Sequence, residues 1–205
     1  MSFFENTRKP VGLGGKLMVA MMNLGHSPVA RWGLQFLNAA PDAKVLDCGC
    51  GGGANIKRLL KKYPQGIVKG IDYSPVSVKK TKKVNETAIA EGRCAVLQGS
   101  VADMIFADDW FDAVTAFETV YFWPNLPQCF RVIYRVLKPG GTFLICNESS
   151  GDTDKDEKWT EIIGGMTIYS GDELKTFLEN AEFCNVQIHK NKIGWLCVTG
   201  QKREE

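Results

Sequence analysis

Only two histidines occur in 205 residues, and the seven cysteines include no C-x-x-C pair. A tetrahedral metal site therefore lacks ligands at workable spacing, even though Cys48 and Cys50 sit one residue apart in a glycine loop, and no metal is expected. A charge excess of either sign is also missing: 25 basic against 23 acidic side chains leave a formal +2. Proteins that live on phosphate backbones carry more than that, so no nucleic-acid partner is expected. The apolar stretch from Leu17 to Leu24 is broken by Asn23 and falls well short of the roughly 18 to 20 residues of a membrane span. Phe3, Phe4 and Glu5 precede the basic residues, unlike a secretory leader, so no membrane anchor is expected. The odd cysteine count, with most cysteines inside apolar runs such as "FLICNE" and "GWLCVTG", suits small buried hydrophobes in a reducing compartment. A cytoplasmic location is expected. Repeats and low-complexity linkers are absent too.

What is present has the size and balance of one domain, with 44% apolar and 23% charged residues. Short β-branched runs ("KVLDCG", "GIVKGID", "CAVLQGS", "WFDAVTAFET", "TFLICNES") alternate with helical periodicity ("ANIKRLLKKY", "PVSVKKTKKVNETAIAEG", "LPQCFRVIYRVLKPGG"). Parallel neighbours need a helical crossover, so this rhythm predicts an α/β chain with a parallel sheet covered on both faces. Ser170 and Glu173 have capping-box spacing at the start of "SGDELKTFLENAEF". "CNVQIHKNKIGWLCVTGQK" reads as an antiparallel hairpin turning near Asn191. In "SPVARWGLQFLNAA", Ser27 is expected at a cap position and Pro28 at the first helical position, and a further short helix is expected from Gly15 to Leu24. Residues 1–205 are read as a single domain, with 1–40 a helical lid segment and 41–205 a Rossmann-like core.

The chemistry concentrates at "AKVLDCGCGGGANIKRLL". Asp47, Gly49, Gly51, Gly52 and Gly53 fall where an apolar run stops and an amphipathic one begins. Missing Cβ atoms there let the chain turn and a ligand approach the start of a helix. Asp72 ends the next strand in "GIDYS", some twenty residues on, where a carboxylate can accept from two ribose hydroxyls. Together they mark an adenosine-containing ligand. Gly49-x-Gly51-x-x-Ala54 formally satisfies the dinucleotide fingerprint as well, which keeps a nicotinamide-dependent oxidoreductase as an alternative.

From Ala43 to Asn147 the chain resembles the class I S-adenosylmethionine-dependent methyltransferases, in the small-molecule, quinone-methyltransferase-like subgroup. "VLDCGCGGG" is similar to that family's first motif and "GIDYS" to its ribose-binding acidic position; "LQGSVADMIFADDWFDAV" matches its adenine loop and fourth strand, and "VLKPGGTFLI" its turn into the fifth. The resemblance implies a Rossmann-like, doubly wound, mostly parallel seven-stranded sheet with a C-terminal antiparallel hairpin and an N-terminal helical lid. It implies S-adenosyl-L-methionine as cofactor and methyl transfer to a small-molecule acceptor by in-line displacement, in a monomer or homodimer. A non-catalytic donor-binding regulator is the third reading. Asp47, Gly49 and Gly51 would face the methionine portion, Asp72 the ribose and Tyr73 the adenine. Where the family often has aspartate in the adenine loop this chain has Ser100, so the adenine falls to Ser100 and the Val101 N–H, or to Asp103.

A sulfonium leaving group is already activated, so positioning supplies much of the rate and a dedicated base is optional. Glu118 and Thr119 are expected at the methionine end of the donor. Tyr121, Glu148 and His26 are the candidate acid or base groups, and Met22, Phe122, Trp123 and Tyr169 the candidate acceptor wall. Trp123 and Phe122 could equally pack under the next helix, and Met18, Met21 and Met22 could line a lid or pack in a core. The basic groups Lys57, Arg58, Lys61, Lys62 and Lys79, Lys80, Lys82, Lys83 read as solvated outer helix faces. No N/D-P-P-Y/F motif follows the fourth strand, which disfavours methylation of exocyclic base amines.

Overall fold

In the computed structural model, residues 27–152 and 154–204 are described. Five parallel strands come first: β1 (Lys44–Cys48), β2 (Ile67–Asp72), β3 (Cys94–Gln98), β4 (Phe111–Phe117) and β5 (Leu137–Asn147). The chain closes with β6 (Cys184–Lys190) and β7 (Leu196–Gln201). The sheet order is β3-β2-β1-β4-β5-β7-β6, with β7 antiparallel to both its neighbours. The predicted hairpin is therefore present, and it turns at Asn191, whose side-chain oxygen accepts from the Ile193 and Trp195 N–H groups.

One face carries α1 (Ser27–Gly33), α2 (Ala54–Lys62), α3 (Pro75–Val84) and α4 (Glu86–Ala90); the other carries α5 (Leu126–Val136) and α7 (Gly171–Asn180), with α6 (Asp154–Ile162) between β5 and α7 in the chain. Helical spacing decides which side of each helix is buried. Ile56, Leu59 and Leu60 of α2, and Leu126, Cys129, Phe130, Ile133 and Val136 of α5, recur three or four residues apart and face the sheet. The capping box at Ser170 and Glu173 starts α7 as expected.

Two local expectations are corrected. The periodic run after β2 is two helices, because the buried Asn85 interrupts it and turns its side-chain amide to the carbonyls of Gly53 and Thr81. At the N-terminal end, Ser27 is itself helical within α1, and its hydroxyl accepts from Arg58 Nη2 at 2.6 Å. Arg58 is accordingly half-buried and pinned, unlike the exposed lysines around it. The described part of the 1–40 segment belongs to the core: Val29, Ala30, Leu34 and Leu37 are buried, and a Cβ on Gly33 would strike Cys146. The helix expected over Gly15 to Leu24, Met18, Met21, Met22 and His26 lie outside the described residues. All seven cysteines are free and six are buried.

Candidate functional site

Rossmann-type sheets bind ligands beyond the carboxyl ends of their strands, where the order reverses, which here is between β1 and β4. Asp47 arrives there on the fourth position of β1, 1% exposed, on the same side as Thr115 of β4, whose hydroxyl donates to Asp47 Oδ1 at 2.8 Å. Asp47 Oδ2 is buried and has no partner. Burial pushes its carboxyl up to about 7, with the Thr115 bond opposing and the Asp72 charge reinforcing the rise. A carboxylate held this way awaits a cation.

The loop after β1 turns back over β2. Gly49 and Cys50 N–H groups donate to the Ile71 carbonyl at 2.8 and 3.2 Å, and the Gly51 N–H donates to Asp72 Oδ2 at 2.9 Å. Gly49 and Gly51 have φ of +72° and +51°, a region that side chains enter only with strain. The two differ in surroundings. A Cβ on Gly49 would lie 2.7 Å from Thr119 Cβ, whereas one on Gly51 would meet nothing nearer than 3.9 Å. Gly49 is thus closed by the chain's own residues, and Gly51 opens toward space a ligand can fill. Beyond the loop, Gly53 is the N-cap of α2 and offers no side chain to cap it, leaving the helix's first N–H groups and the positive end of its dipole facing the same place.

Asp72 is 7% exposed, and its Oδ1 accepts from the Ser74 N–H at 2.9 Å. Burial raises its carboxyl, and the Ser74 and Gly51 hydrogen bonds offset part of that rise. Each oxygen keeps a second lone pair for a ribose hydroxyl. Tyr73 follows beside it, 41% exposed. On the far side, the Ser100 hydroxyl caps the short turn Val101–Asp103 by accepting from the Ala102 N–H. Val101 is buried at the first position of that turn, where an N–H has no acceptor within the turn, and Asp103 is exposed.

The loops after β4 and β5 border the same sheet edge. Glu118, half-buried at φ +57°, accepts through its carboxylate from the Glu148 N–H, while its own N–H donates to the Cys146 carbonyl. Burial, then the Glu148 charge, holds the Glu118 carboxyl well above the usual range; the partial desolvation of Glu148, the exposed member, raises it too. Tyr121 is buried, and its hydroxyl accepts from the Ser149 N–H at 3.2 Å. Burial pushes that phenol up, so it stays protonated and can donate. Trp123 lies parallel to Phe143 and edge-on to Phe130 against the core, with its indole N–H given to Thr119 Oγ1 at 3.1 Å. Tyr169 packs on the same cluster, edge-on to Phe177.

The structure thus gathers Asp47, Gly49, Gly51 and Asp72 into one cradle, and Glu118, Tyr121 and Glu148 at its β4–β5 rim. It also reveals residues the sequence reading missed. Asn85 holds the Gly53 carbonyl from a helix break, and Thr115 orients Asp47; an asparagine inside a helical run and a threonine one strand away give no linear signal.

The cradle, with an orphaned carboxylate oxygen at β1 and an open glycine beside a ribose-height carboxylate, fits the methionine and ribose parts of S-adenosylmethionine. Strand order with a reversed β7 is that of the Rossmann-like methyltransferases. The comparisons agree. Residues 46–145 match the family model described as a methyltransferase domain, and through that stretch the chain belongs to the class I S-adenosylmethionine-dependent methyltransferases. Cycloartenol-C-24-methyltransferase 1 of Oryza sativa subsp. japonica is 35% identical over 109 residues, 53% of this chain and 31% of that protein. Sterol methyltransferase-like 2 of Botryococcus braunii is 35% identical over 147 residues, 69% of this chain and 37% of that protein. The chain spans about a third of the length of these relatives. Among solved structures, a chain of the complex between the Haloferax volcanii Trm112 methyltransferase activator and a methyltransferase has a TM-score of 0.85 at 22% identity, covering 93% of this chain and 95% of that one. The 4+2 cyclase SpnF has a TM-score of 0.71 at 16% identity, covering 87% and 81%. At these identities the structures share the fold, and the cyclase shows why the reaction must be argued from the site.

Proposed function

We propose that this chain transfers the methyl group of S-adenosylmethionine to a small-molecule acceptor. The observation that carries the reading is the buried, unpartnered Asp47 Oδ2 beside an open Gly51 that is tied to Asp72. When bound, the donor supplies an electrophilic methyl group on a sulfonium. Asp47 supplies the charge for its ammonium group, directly or through an ordered water, and Asp72 the acceptors for its ribose. Tyr73 and the Ser100–Val101 turn border the adenine. Glu118 closes the methionine end.

On the acceptor side Tyr121, kept protonated, donates a hydrogen bond, and the exposed Glu148 carboxylate takes up the proton that an O–H or N–H acceptor releases. Trp123 and Tyr169 line the apolar wall. Residues 1–26, with Met22 and His26, close the site as a lid in the single-domain reading of residues 1–205. The relatives named for sterol methylation support a small, largely apolar acceptor. We place the protein in the cytoplasm on the strength of its seven unpaired cysteines, and read it as a monomer or homodimer. Among the described residues no helix is long and apolar enough to cross a membrane. Calorimetric titration with S-adenosylmethionine and S-adenosylhomocysteine tests the donor; tritium transfer from labelled donor to a small-molecule extract tests the reaction.

A further inference from the structure

Asn147 is the last residue of β5, and it is 0% exposed. Neither its Oδ1 nor its Nδ2 has a hydrogen-bond partner. Leaving both ends of a buried carboxamide unmade is costly, and such groups are rare unless something outside the chain completes them. A leucine would fill the same volume without that cost.

Its position links the orphan to the acceptor side. Strand alternation puts Asn147 on the face of Phe143 and Ile145, and its register neighbour on β7 is Leu196 of the same apolar cluster. That is the face on which Trp123 and Tyr169 pack. The next two residues are fastened to the β4 loop, Glu148 N–H to Glu118 and Ser149 N–H to the Tyr121 hydroxyl. Tyr121 in turn receives the Thr167 N–H on its carbonyl, drawing the segment before Tyr169 over the same spot. Asn147 therefore sits beneath the loops that border the acceptor, as the polar atom pair in an apolar wall.

We propose that the Asn147 carboxamide is the specificity-determining group for the acceptor, pairing with a polar end that presents a hydrogen-bond donor and an acceptor side by side, as a lactam edge or an ortho-dihydroxy ring does. The proposal rests on the methyltransferase reading above. An apolar acceptor body meets Trp123 and Tyr169, and the paired polar end fixes which atom faces the methyl group. A site with an unmet donor and acceptor discriminates strongly, because an acceptor lacking either leaves them unpaired. Opening is required, since the carboxamide is buried in the free protein.

The test uses the full chain and two variants, N147L and the isosteric N147D. Melting curves without ligand come first. N147L should melt about 2 to 6 °C higher than the wild type, because an unpaired polar group has been removed. A lower melting temperature means that Asn147 already has a partner in the free protein, and overturns the proposal. Next, tritiated-methyl S-adenosylmethionine and a small-molecule extract are incubated with each protein, and labelled products are resolved by chromatography. Both variants should bind S-adenosylhomocysteine within about twofold of the wild type, yet label the wild-type product at least about tenfold more slowly. Labelling at the wild-type rate overturns the proposal while leaving the methyltransferase reading intact. If the wild type binds neither S-adenosylmethionine nor S-adenosylhomocysteine, that reading fails and this one falls with it.

Discussion

The Gly51 N–H donates to Asp72 Oδ2 at 2.9 Å, so the carboxylate that ends β2 also holds the loop that ends β1. One side chain thus shapes the cradle and offers the acceptors for a ribose. Asp72→Ala should act on both: donor affinity falls by about tenfold or more, since hydrogen bonds to a charged group are worth about 1.5 to 3 kcal/mol each. The melting temperature falls as well, because Gly51 and Ser74 lose their acceptor. An unchanged dissociation constant by calorimetry would show that the ribose is held elsewhere.

Gly49 and Gly51 should separate fold from function. Both occupy left-handed backbone, which costs a substituted residue about 1 to 3 kcal/mol. Gly51→Ala adds no clash within the chain, so its stability loss stays in that range while donor binding falls by at least about tenfold. Gly49→Ala also drives a methyl into Thr119 and should be the more destabilised protein. Denaturant midpoints compare them, and equal losses would contradict the assignment of open and closed sides.

Asp47 gives the protein's stability a pH dependence. Its carboxyl keeps its proton in the folded protein up to about 7 and would release it near 3.8 in the unfolded chain. The associated stability is therefore complete below 3.8 and is lost as pH rises through about 7. Asp72, Glu118 and Glu148, also raised, act in the same direction. Asp47→Asn should flatten the profile and raise the melting temperature at pH 8. A donor ammonium needs the ionised carboxylate, so donor affinity should weaken by up to about tenfold per pH unit below about 7 in the wild type and not in the variant. A wild-type affinity independent of pH from 6 to 8 would remove Asp47 from the donor site.

Asn85 is a prediction that only the structure permits. Its amide holds the Gly53 and Thr81 carbonyls at 3.1 and 3.0 Å from behind the loop. Asn85→Ala should cost about 1 to 3 kcal/mol of stability and weaken the donor several-fold, although Asn85 faces no ligand. Thermal unfolding and calorimetry on the same sample check both effects; intact donor affinity would make Asn85 a helix-break residue alone.

Much of this was legible in the linear order of residues. The glycine loop, Asp72 and the terminal hairpin each depend on contacts within a short stretch, or on a strand-helix rhythm that has few topological solutions. What could not be read depends on residues far apart in the chain meeting across strands. Thr115 meets Asp47 across the β1–β4 pair, and Glu118 meets Glu148 across β4 and β5. The amide of Asn85 reaches back 32 residues. The packing of α1 has a similar cause: Gly33 meets Cys146 on β5, a contact that the pattern of "SPVARWGLQFL" does not signal.

The account turns on what the cradle between β1 and β4 binds, and calorimetric titration of the wild-type chain at pH 8 decides it. S-adenosylhomocysteine and S-adenosylmethionine should each bind saturably at one site per chain, with NADH giving no heat. Saturable binding of NADH with no heat from either adenosyl compound would contradict the account and assign the glycine loop to a nicotinamide cofactor.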